Sequence, residues 1–352
     1  MHARHTMTGF LITGLTTGIA SADIWTVDDD GPADFTTIQD AVNAASDGDE
    51  IHVHPGTYSR EDGDFMPVVD FRDKNLTLLG IEGREATIID ARDFASAIQM
   101  NPPLNFDIPS KIDGFTIRNG QGGGIVTSGP RVLKVGFCTI EDCREPAIWS
   151  YGRVELTVSN CTIRNNDSTY LSGGIVTDEG DVLIINSTFS GNYSDTLGGA
   201  LRLWGSYNRP NRADIIGCTF EGNIASQGAA VSANRLMLRI DGCTFAANTG
   251  GQGTVLYMME GVAEFQDTLC CAHDVDDIFG EWVDLGGNEF RPECEGGDCV
   301  ADLDGNGSVD GGDLTTLLGS WGTCGGCAGD LTGDGTVDGA DLTLLLGLWG
   351  DC

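Results

Sequence analysis

Two stretches near the end of the chain repeat oxygen-bearing side chains at one spacing. In the first copy these residues are Asp302, Asp304, Asn306, Ser308, Asp310 and Asp313, and in the second they are Asp330, Thr332, Asp334, Thr336, Asp338 and Asp341. Gly307 and Gly335 stand where such a loop must turn sharply, which glycine does at the lowest cost. A hard cation such as Ca²⁺ binds about six to eight oxygen atoms. The spacing therefore predicts two calcium ions, one in each loop.

Each loop is followed by a pattern that predicts a helix. Apolar residues recur at helical spacing, as Leu314, Leu317, Leu318 and Trp321 after the first loop and as Leu342, Leu345, Leu346 and Trp349 after the second. An acidic, glycine-rich linker is the alternative, and this apolar stripe disfavours it. Position 12 of each loop is aspartate rather than glutamate, and no helical pattern precedes either loop.

On these grounds residues 302–350 resemble a type I dockerin, in which each half-EF-hand is a calcium loop followed by one helix. The resemblance implies a small all-α domain that docks to a cohesin-like or other surface protein. Cohesin-binding dockerins usually carry Ser-Thr contacts at loop positions 10 and 11, where this chain has Gly311-Gly312 and Gly339-Ala340. The identity of the docking partner is therefore open.

The charge and the N-terminus restrict where the chain works. A net charge of −34 and a pI near 4.1 argue against binding to nucleic acid or to an anionic membrane. His2, Arg4 and His5 precede an apolar run and an Ala-Ser-Ala site, so residues 1–22 are predicted to be a signal peptide. The apolar run is too short and too rich in Thr and Gly to span a bilayer, and no second run follows. We expect a protein that is secreted or held at the cell surface.

The long middle of the chain repeats one short unit, Thr-Ile or Thr-Phe, which Cys or Ser precedes in all copies but the first. The copies stand at residues 115–117, 138–140, 161–163, 187–189, 218–220 and 243–245, and Gly-Gly-type segments alternate with them. Periods of about 20–50 residues indicate solenoids, and short β-rich segments between Gly and Asn turns indicate strands. The predicted fold class is all-β, a right-handed parallel β-helix over residues 23–290. A linker at 291–300 and the tail domain at 301–352 follow.

Two columns of small polar residues are predicted to stack from coil to coil. Asn166, Asn192, Asn223 and Asn248 close successive units, where an amide ladder would satisfy the backbone groups of the turns. Cys138, Cys161, Cys218 and Cys243 share another register, which Ser187 interrupts. Because parallel Cα–Cβ directions do not suit a disulfide, we expect these cysteines to be buried free thiols.

Other cysteines are expected to be bridged, since the chain has twelve and is predicted to be exported. Cys270 or Cys271 is a candidate partner for Cys294. In the tail, two pairings respect the repeat, namely 299–324 with 327–352 or 299–352 with 324–327. The closeness of dockerin termini favours the second pairing.

The front of the chain fits the same architecture. Thr36 and Gln39 form a predicted capping box that opens an amphipathic helix over the first coil, whose strand edges are otherwise unpaired. A strand at residues 50–54 and a Pro-Gly-Thr-Tyr turn follow. Residues 35–58 resemble the start of many pectate-lyase-like β-helix proteins, and residues 74–90 are similar to the second coil of that superfamily. The resemblance covers most of residues 24–290 and implies the fold.

Catalysis is not predicted by any local motif. The signatures of pectate lyases, pectin esterases and polygalacturonases are absent from the sequence. His52, His54 and His273 are the histidines outside the signal peptide, and none stands in a constellation that makes a general base. Whether the protein is an enzyme is therefore undecided at this stage.

One face of the solenoid is a candidate carbohydrate site. Residues that follow the Gly-Gly-type strands collect aromatic, basic and acidic side chains, namely Trp149, Tyr151, Asp178, Arg202, Trp204 and Tyr207. Aromatic rings stack on sugars, while arginine and carboxylate groups bind hydroxyls or uronates. The structural alternative is scattered surface aromatics, which need no explanation.

Three functions remain in competition. The first is an exported polysaccharide-binding or polysaccharide-catabolic protein that is docked through its tail. The second is a non-catalytic adhesin or structural surface protein, because the Gly-Gly-Ala-Leu and Phe-x-x-Asn repeats also resemble those of polymorphic outer-membrane adhesins. The third is a secreted polysaccharide lyase or glycoside hydrolase with unrecognised catalytic residues.

Overall fold

Three parallel sheets run along the solenoid, and each complete coil contributes one strand to each of them. The computed structural model describes residues 22–60, 65–103, 108–291, 293–294, 301–304, 308–323, 327–332 and 335–351. We name the sheets A, B and C in the order in which a coil passes through them, and sheet D is a shorter one between B and C. Each strand pairs with the equivalent strand of the coils before and after it. The predicted parallel solenoid is confirmed.

The strands of each sheet follow in spatial order. Sheet A contains Ile24–Val27, Glu50–Val53, Thr77–Gly80, Ser110–Asp113, Arg131–Gly136, Val154–Ser159, Val182–Ile185, Asn211–Ile216, Leu236–Asp241, Gly261–Gln266 and Trp282–Asp284. Sheet B contains Gly56–Tyr58, Thr87–Asp90, Thr116–Arg118, Thr139–Glu141, Thr162–Arg164, Thr188–Ser190, Thr219–Glu221, Thr244–Ala246, Leu269–Cys271 and Glu289–Arg291. Sheet C contains Val69–Asp70, Ile98–Met100, Ile125–Ser128, Ile148–Tyr151, Ile175–Asp178, Leu201–Trp204, Val231–Asn234, Leu256–Met258 and Ile278–Phe279. Sheet D contains Asp167–Ser168, Tyr193–Leu197, Ile224–Gln227 and Thr249–Gln252.

The Thr-Ile and Thr-Phe repeat supplies the inward-facing column of sheet B. Phe189 and Phe220 stack with ring centroids 5.0 Å apart, and Phe220 and Phe245 with centroids 4.8 Å apart. All three rings are fully buried. Because a coil-to-coil step is about 4.8 Å, a side chain repeated in register contacts its own counterpart. The sequence period therefore specifies the packing as well as the pairing.

Glycines of the Gly-Gly-type segments leave room for the backbone of the neighbouring coil. A side chain at Gly174 would stand 2.1 Å from the carbonyl oxygen of Ala200, and one at Gly199 would stand 2.5 Å from that of Ala229. Any larger residue would push the coils apart at this corner. The strands of sheet C consequently begin at equivalent positions in successive coils.

The asparagine ladder is confirmed. The Oδ1 atom of Asn192 accepts from the backbone N–H of Asn166 at 3.2 Å, and Asn223 and Asn248 continue the chain with bonds of 3.0 and 3.1 Å. The ladder ends on a different residue, because the backbone N–H of Asn248 donates to Nε2 of His273 at 3.2 Å. His273 thus takes the place of the next asparagine.

The predicted free thiols are also confirmed. Cys138, Cys161, Cys218 and Cys243 are buried and unbridged. Cys143 and Cys270 join them, and burial raises the pKa of each of these two thiols to about 12. Of the two candidate partners for Cys294, the structure bridges Cys271.

A short helix, α1 (Ile38–Ala44), packs on strands of the first coils through Ile38, Ala41 and Val42. Its start differs by one residue from the prediction. The N-cap is Thr37, whose side chain accepts from the backbone N–H of Asp40. The predicted Thr36–Gln39 capping box is wrong. The side chain of Gln39 instead accepts a hydrogen bond from the backbone N–H of Asp70, in a strand of sheet C, at 2.7 Å.

The tail contains two helices, α2 (Gly311–Gly319) and α3 (Gly339–Gly347). Two antiparallel pairs of short strands accompany them, Ser308–Val309 with Gly350–Asp351 and Gly322–Thr323 with Thr336–Val337, so the described part is not purely α. Its small core consists of the buried residues Ala301, Val309, Leu317, Val337 and Leu345.

Only part of the apolar stripe of the tail helices is buried. Leu317 and Leu345 are fully buried, whereas Leu318 and Leu346 are about half exposed. Trp321 and Trp349 lie beyond the helix ends and are also about half exposed. The predicted apolar stripe therefore lies partly in the core and partly on the surface of the tail.

Several predictions concern residues outside the described ones. These are residues 1–21 of the signal peptide, most of the linker, Asn306, Asp334, Cys299, Cys324 and Cys352. Cys327 is disulfide-bonded, as both predicted pairings require, so the choice between them stays open. Within the described residues, no helix has the length and hydrophobicity to cross a bilayer.

The end of the ladder predicts a pH-dependent stability. His273 is buried, its Nε2 accepts from Asn248, and its Nδ1 lies 3.2 Å from Oδ2 of Asp277. Burial lowers the pKa of His273 below its usual 6.5, although Asp277 and Asp274 oppose this. The unfolded chain therefore binds a proton near pH 6.5 that the folded chain binds only at lower pH. The stabilisation is complete above that value and is lost as the pH falls through the window below it.

We expect the last coils of the wild type to lose protection against hydrogen exchange between about pH 7.5 and about pH 5. His273→Asn should keep its protection across this range, because asparagine restores the ladder without a titrating group. His273→Leu should destabilise these coils by about 1–3 kcal/mol at every pH, since the Asn248 N–H loses its acceptor. Equal pH dependence in the wild type and in His273→Asn would contradict this account.

Candidate functional site

Sheet C presents two neighbouring columns of outward-facing side chains. In one column Trp149, Val176 and Arg202 are register partners, and in the other Tyr151, Asp178 and Trp204 are. Leu203, which lies between the two columns on its strand, and Ile148, which precedes Trp149, belong to the core. Five of the six predicted carbohydrate residues therefore lie together on one surface, which we call the aromatic face.

Arg202 is the centre of this face. Its guanidinium carbon lies 3.9 Å from the ring centroid of Trp204. Burial lowers the pKa of Arg202, against the influence of Asp178. Burial likewise raises the pKa of Asp178, while Arg202 opposes the shift and Glu179 adds to it. Within the described residues Asp178 forms no ion pair within 4.0 Å, so both groups keep capacity for a ligand.

The face also holds polar atoms whose hydrogen-bonding capacity is unused. These buried atoms, without a partner among the described residues, are Nε1 of Trp149, Nε of Arg202, Nε1 of Trp204, Oγ of Ser232 and Oδ1 of Asn234. Buried polar groups are nearly always paired, so these five atoms leave hydrogen-bonding capacity on this surface.

Tyr207 lies in the loop after Leu201–Trp204, beside the face and not on a strand. Its ring packs under the guanidinium of Arg235, whose carbon is 3.8 Å from the centroid. The side chain is 80% exposed. The structure therefore brings Tyr207 to the edge of the aromatic face but does not place it in either column.

Two aromatic residues of the face were missed from the sequence. Tyr257 follows Arg202 and Ser232 in the first column, and Phe279 follows Tyr257. The two rings are stacked with centroids 4.9 Å apart. The signal was available, because Tyr257 stands at the same distance after Gly253 as Arg202 does after Gly198.

None of the described histidines acts as a base on the face. His273 belongs to the ladder, and His52 lies on sheet A with its Nε2 2.8 Å from Glu50. Asp178 is thus the titratable group that the face offers to a ligand beside Arg202.

The first tail loop gathers its carboxylates. Ligand atoms of Asp302, Asp304 and Asp313 lie within 4.8 Å of one another. Asp313 is fully buried, and its Oδ1 accepts from the N–H groups of Leu303 and Asp304 at 2.6 and 3.1 Å. Its Oδ2 accepts from the N–H of Asp310 at 2.8 Å, which closes the N-terminal turn of α2.

The second tail loop repeats this arrangement. Asp341 is fully buried, its Oδ1 accepts from Thr332 N–H at 2.9 Å, and its Oδ2 accepts from Asp338 N–H at 2.8 Å. These backbone hydrogen bonds lower the pKa of Asp341, and the corresponding bonds lower that of Asp313. Both carboxyl groups are therefore held ionised, and a carboxylate keeps lone pairs for a cation after accepting such bonds.

The comparisons with known proteins concern the solenoid. Residues 96–263 match the family model described as a right handed beta helix region. The solenoid is a right-handed parallel β-helix. No curated protein matches the chain.

Solved structures similar to this β-helix include pectin methylesterases. The enzyme from Aspergillus niger is 14% identical, with 76% of this chain and 91% of that chain covered and a TM-score of 0.44. The carrot enzyme is 12% identical, with 76% and 89% covered and a TM-score of 0.42. PemA from Erwinia chrysanthemi is 11% identical, with 75% and 94% covered and a TM-score of 0.44. Similarity at this level does not extend to activity.

The chemistry available on the β-helix follows from its own side chains. The aromatic face offers flat rings, one guanidinium and one carboxyl group, in columns that cross successive coils. Such a surface can stack on apolar ring faces and bind hydroxyl or acidic groups of an elongated ligand. The tail offers two clusters of oxygen atoms of the kind that hard cations bind.

Proposed function

We propose that this protein is an exported β-helix that binds polysaccharide on its aromatic face and is docked through a calcium-loaded, dockerin-like tail. The observation that carries the proposal is the shared register of Trp149 and Arg202 in one column and of Tyr151, Asp178 and Trp204 in the other. A polysaccharide is the ligand class that combines a repeated apolar ring face with hydroxyl groups at every step.

The shape of the face favours a long ligand over a small one. The first column runs from Trp149 through Arg202 to Tyr257 and Phe279, across successive coils about 4.8 Å apart. It is an open surface with an aromatic ring at each end and not an enclosed cavity, whereas sites for small molecules are usually concave. A chain of sugars lying along the solenoid axis would contact each coil in turn.

A polysaccharide lyase or hydrolase is the second candidate, and Asp178 is the observation in its favour. Its carboxyl group has a raised pKa, no ion-pair partner among the described residues, and Arg202 beside it. A carboxyl group of this kind suits acid–base chemistry. Glu179 follows Asp178 but lies in the turn after the strand and in neither column, so binding without catalysis is the better-supported function.

The calcium proposal follows from the crowding of like charges. The carboxylates of Asp302, Asp304 and Asp313 lie together at one end of α2, and like charges at such a distance repel. A divalent cation in each loop would turn this repulsion into attraction and hold the loop against its helix. The exposed halves of Leu318 and Leu346 then provide an apolar surface for the proposed docking partner.

The binding proposal predicts that Trp204→Ala weakens glycan binding by about tenfold or more, because a sugar ring loses its stacking partner. Binding would be measured on a glycan array and by calorimetry with the full chain. Tyr170→Ala is a matched control, since Tyr170 is 77% exposed and lies outside sheet C. Unchanged binding by Trp204→Ala would rule out the aromatic face as the site.

The same protein would be assayed for depolymerisation of the glycans that it binds. We expect no shortening of these chains by the wild type. If shortening is observed and Asp178→Asn abolishes it, the catalytic candidate replaces the binding one. If shortening persists in Asp178→Asn, the reaction belongs to another part of the molecule.

The calcium proposal predicts that a chelator unfolds the tail and leaves the β-helix folded. Calorimetry of the full chain should show one transition that moves to lower temperature with chelator and another that does not. Asp302→Ala combined with Asp330→Ala should reproduce the chelated state, while Asp267→Ala, an exposed residue of the β-helix, should not. A tail transition that is insensitive to both chelator and these substitutions would contradict calcium binding.

A further inference from the structure

A small cavity at the turn between sheets C and A collects three arginines. Its volume is about 300 Å³, and it is lined by Pro130, Arg131, Val132, Arg153, Glu155 and Arg209. Arg131 begins a strand of sheet A, Arg153 precedes the next one, and Arg209 belongs to the loop at residues 205–210. The cavity therefore combines groups from different coils, outside both the aromatic face and the tail.

An excess of positive charge is unusual on this molecule, whose net charge is −34. Many of the described arginines are neutralised by a carboxylate at close range. Such pairs are Arg118–Asp90 at 2.9 Å, Arg164–Glu141 at 2.6 Å, Arg212–Asp214 at 2.7 Å and Arg239–Asp241 at 2.6 Å. The lining of the cavity contains three arginines and a single acidic residue, Glu155.

Arg131 is a buried cation without a counter-ion among the described residues. It is 2% exposed, and its guanidinium donates to neutral oxygens, including Oγ of Ser110 and the carbonyl of Asn101 at 2.5 Å each. Its Nε has no acceptor. Burial lowers the pKa of Arg131 to about 10, with only Asp47 opposing. A buried charge of this kind is costly unless an opposite charge comes close.

Arg153 and Arg209 provide the accessible donors. Arg153 is exposed and has no ion pair or side-chain hydrogen bond with any residue that the structure describes. Arg209 reaches Asp181 at only 3.8 Å, and its own Nε also lacks an acceptor. Asp181 is meanwhile engaged by Asn211 Nδ2 and by the N–H of Arg212, both at 3.1 Å. Both arginines thus keep planar N–H pairs that match an oxyanion.

We propose that this cavity is an oxyanion site, in which Arg153 and Arg209 bind a sulfate or carboxylate group and Arg131 contributes its buried charge. The inference does not rest on the aromatic face. The group could be a free anion or a substituent of an acidic glycan, because the chemistry that the arginines recognise is the same.

The test is calorimetric titration of the full chain with sodium sulfate and sodium acetate, against sodium chloride at matched ionic strength. A second arm uses a sulfated and a carboxylated oligosaccharide. Arg153→Ala and Arg209→Ala should each weaken binding by about tenfold, since each removes a charge-assisted contact. Arg164→Ala carries the same change of charge on sheet B and should bind like the wild type. Binding of the free anions places a small-anion site here, whereas binding of the oligosaccharides alone makes the cavity a subsite for a glycan substituent.

Two results would overturn the proposal. One is the absence of binding by every anion and oligosaccharide tested, and the other is equal binding by the wild type, Arg153→Ala and Arg209→Ala. Trp204→Ala separates this site from the aromatic face, because it should leave the binding of free sulfate or acetate unchanged. Loss of glycan binding in Trp204→Ala with full retention in Arg153→Ala would assign the glycan to the aromatic face and reject the cavity as a glycan subsite.

Discussion

The stacking of one coil on the next, in strict register, is the constraint on which the rest of the structure depends. Backbone hydrogen bonds fix the spacing of coils at about 4.8 Å, and the asparagine ladder fixes their rotation. Each ladder amide accepts from a backbone N–H of the preceding turn and donates to a carbonyl of an earlier turn, as Asn192 does with Asn166 at 3.2 Å and with Ile163 at 2.9 Å. A coil cannot slip by one residue without breaking these bonds. Side chains at equivalent positions are therefore forced into columns.

Because of this constraint, residues at equivalent positions of the repeat form continuous columns of side chains. Inside the solenoid it stacks Phe189, Phe220 and Phe245, and outside it lines up Trp149 with Arg202 by the same rule. The inner column is repetitive because the core must be filled at every coil. The outer columns vary from coil to coil, so their composition is not explained by packing alone. That difference is the physical reason for assigning function to the outside of sheet C.

What the sequence predicted depends on how far each feature follows the period. The solenoid, the ladder, the buried thiols and five residues of the aromatic face all follow it, and the structure confirms their positions. Tyr257 obeys the same offset, four residues after Gly253, whereas no glycine stands four residues before Phe279, and only its pairing with Tyr257 places it in the column. The Thr36 box was misplaced because two adjacent threonines offer the same cap, and only the contact of Gln39 with Asp70 decides between them. The arginine cavity could not be predicted, since Arg131, Arg153 and Arg209 occupy turns of different length in different coils.

The positions of the unpaired arginines also reconcile an acidic molecule with acidic ligands. The field of the whole chain repels an anion at long range, but salt at physiological strength screens that field beyond about 8 Å. Within that distance the anion meets Arg153, Arg209 and the buried charge of Arg131, and buried pairs are screened much less. Arg202 adds a further cation, and Asp178 is the carboxyl group whose charge acts on it. These cations provide local attraction for an anion on sheet C and at the turn between sheets C and A.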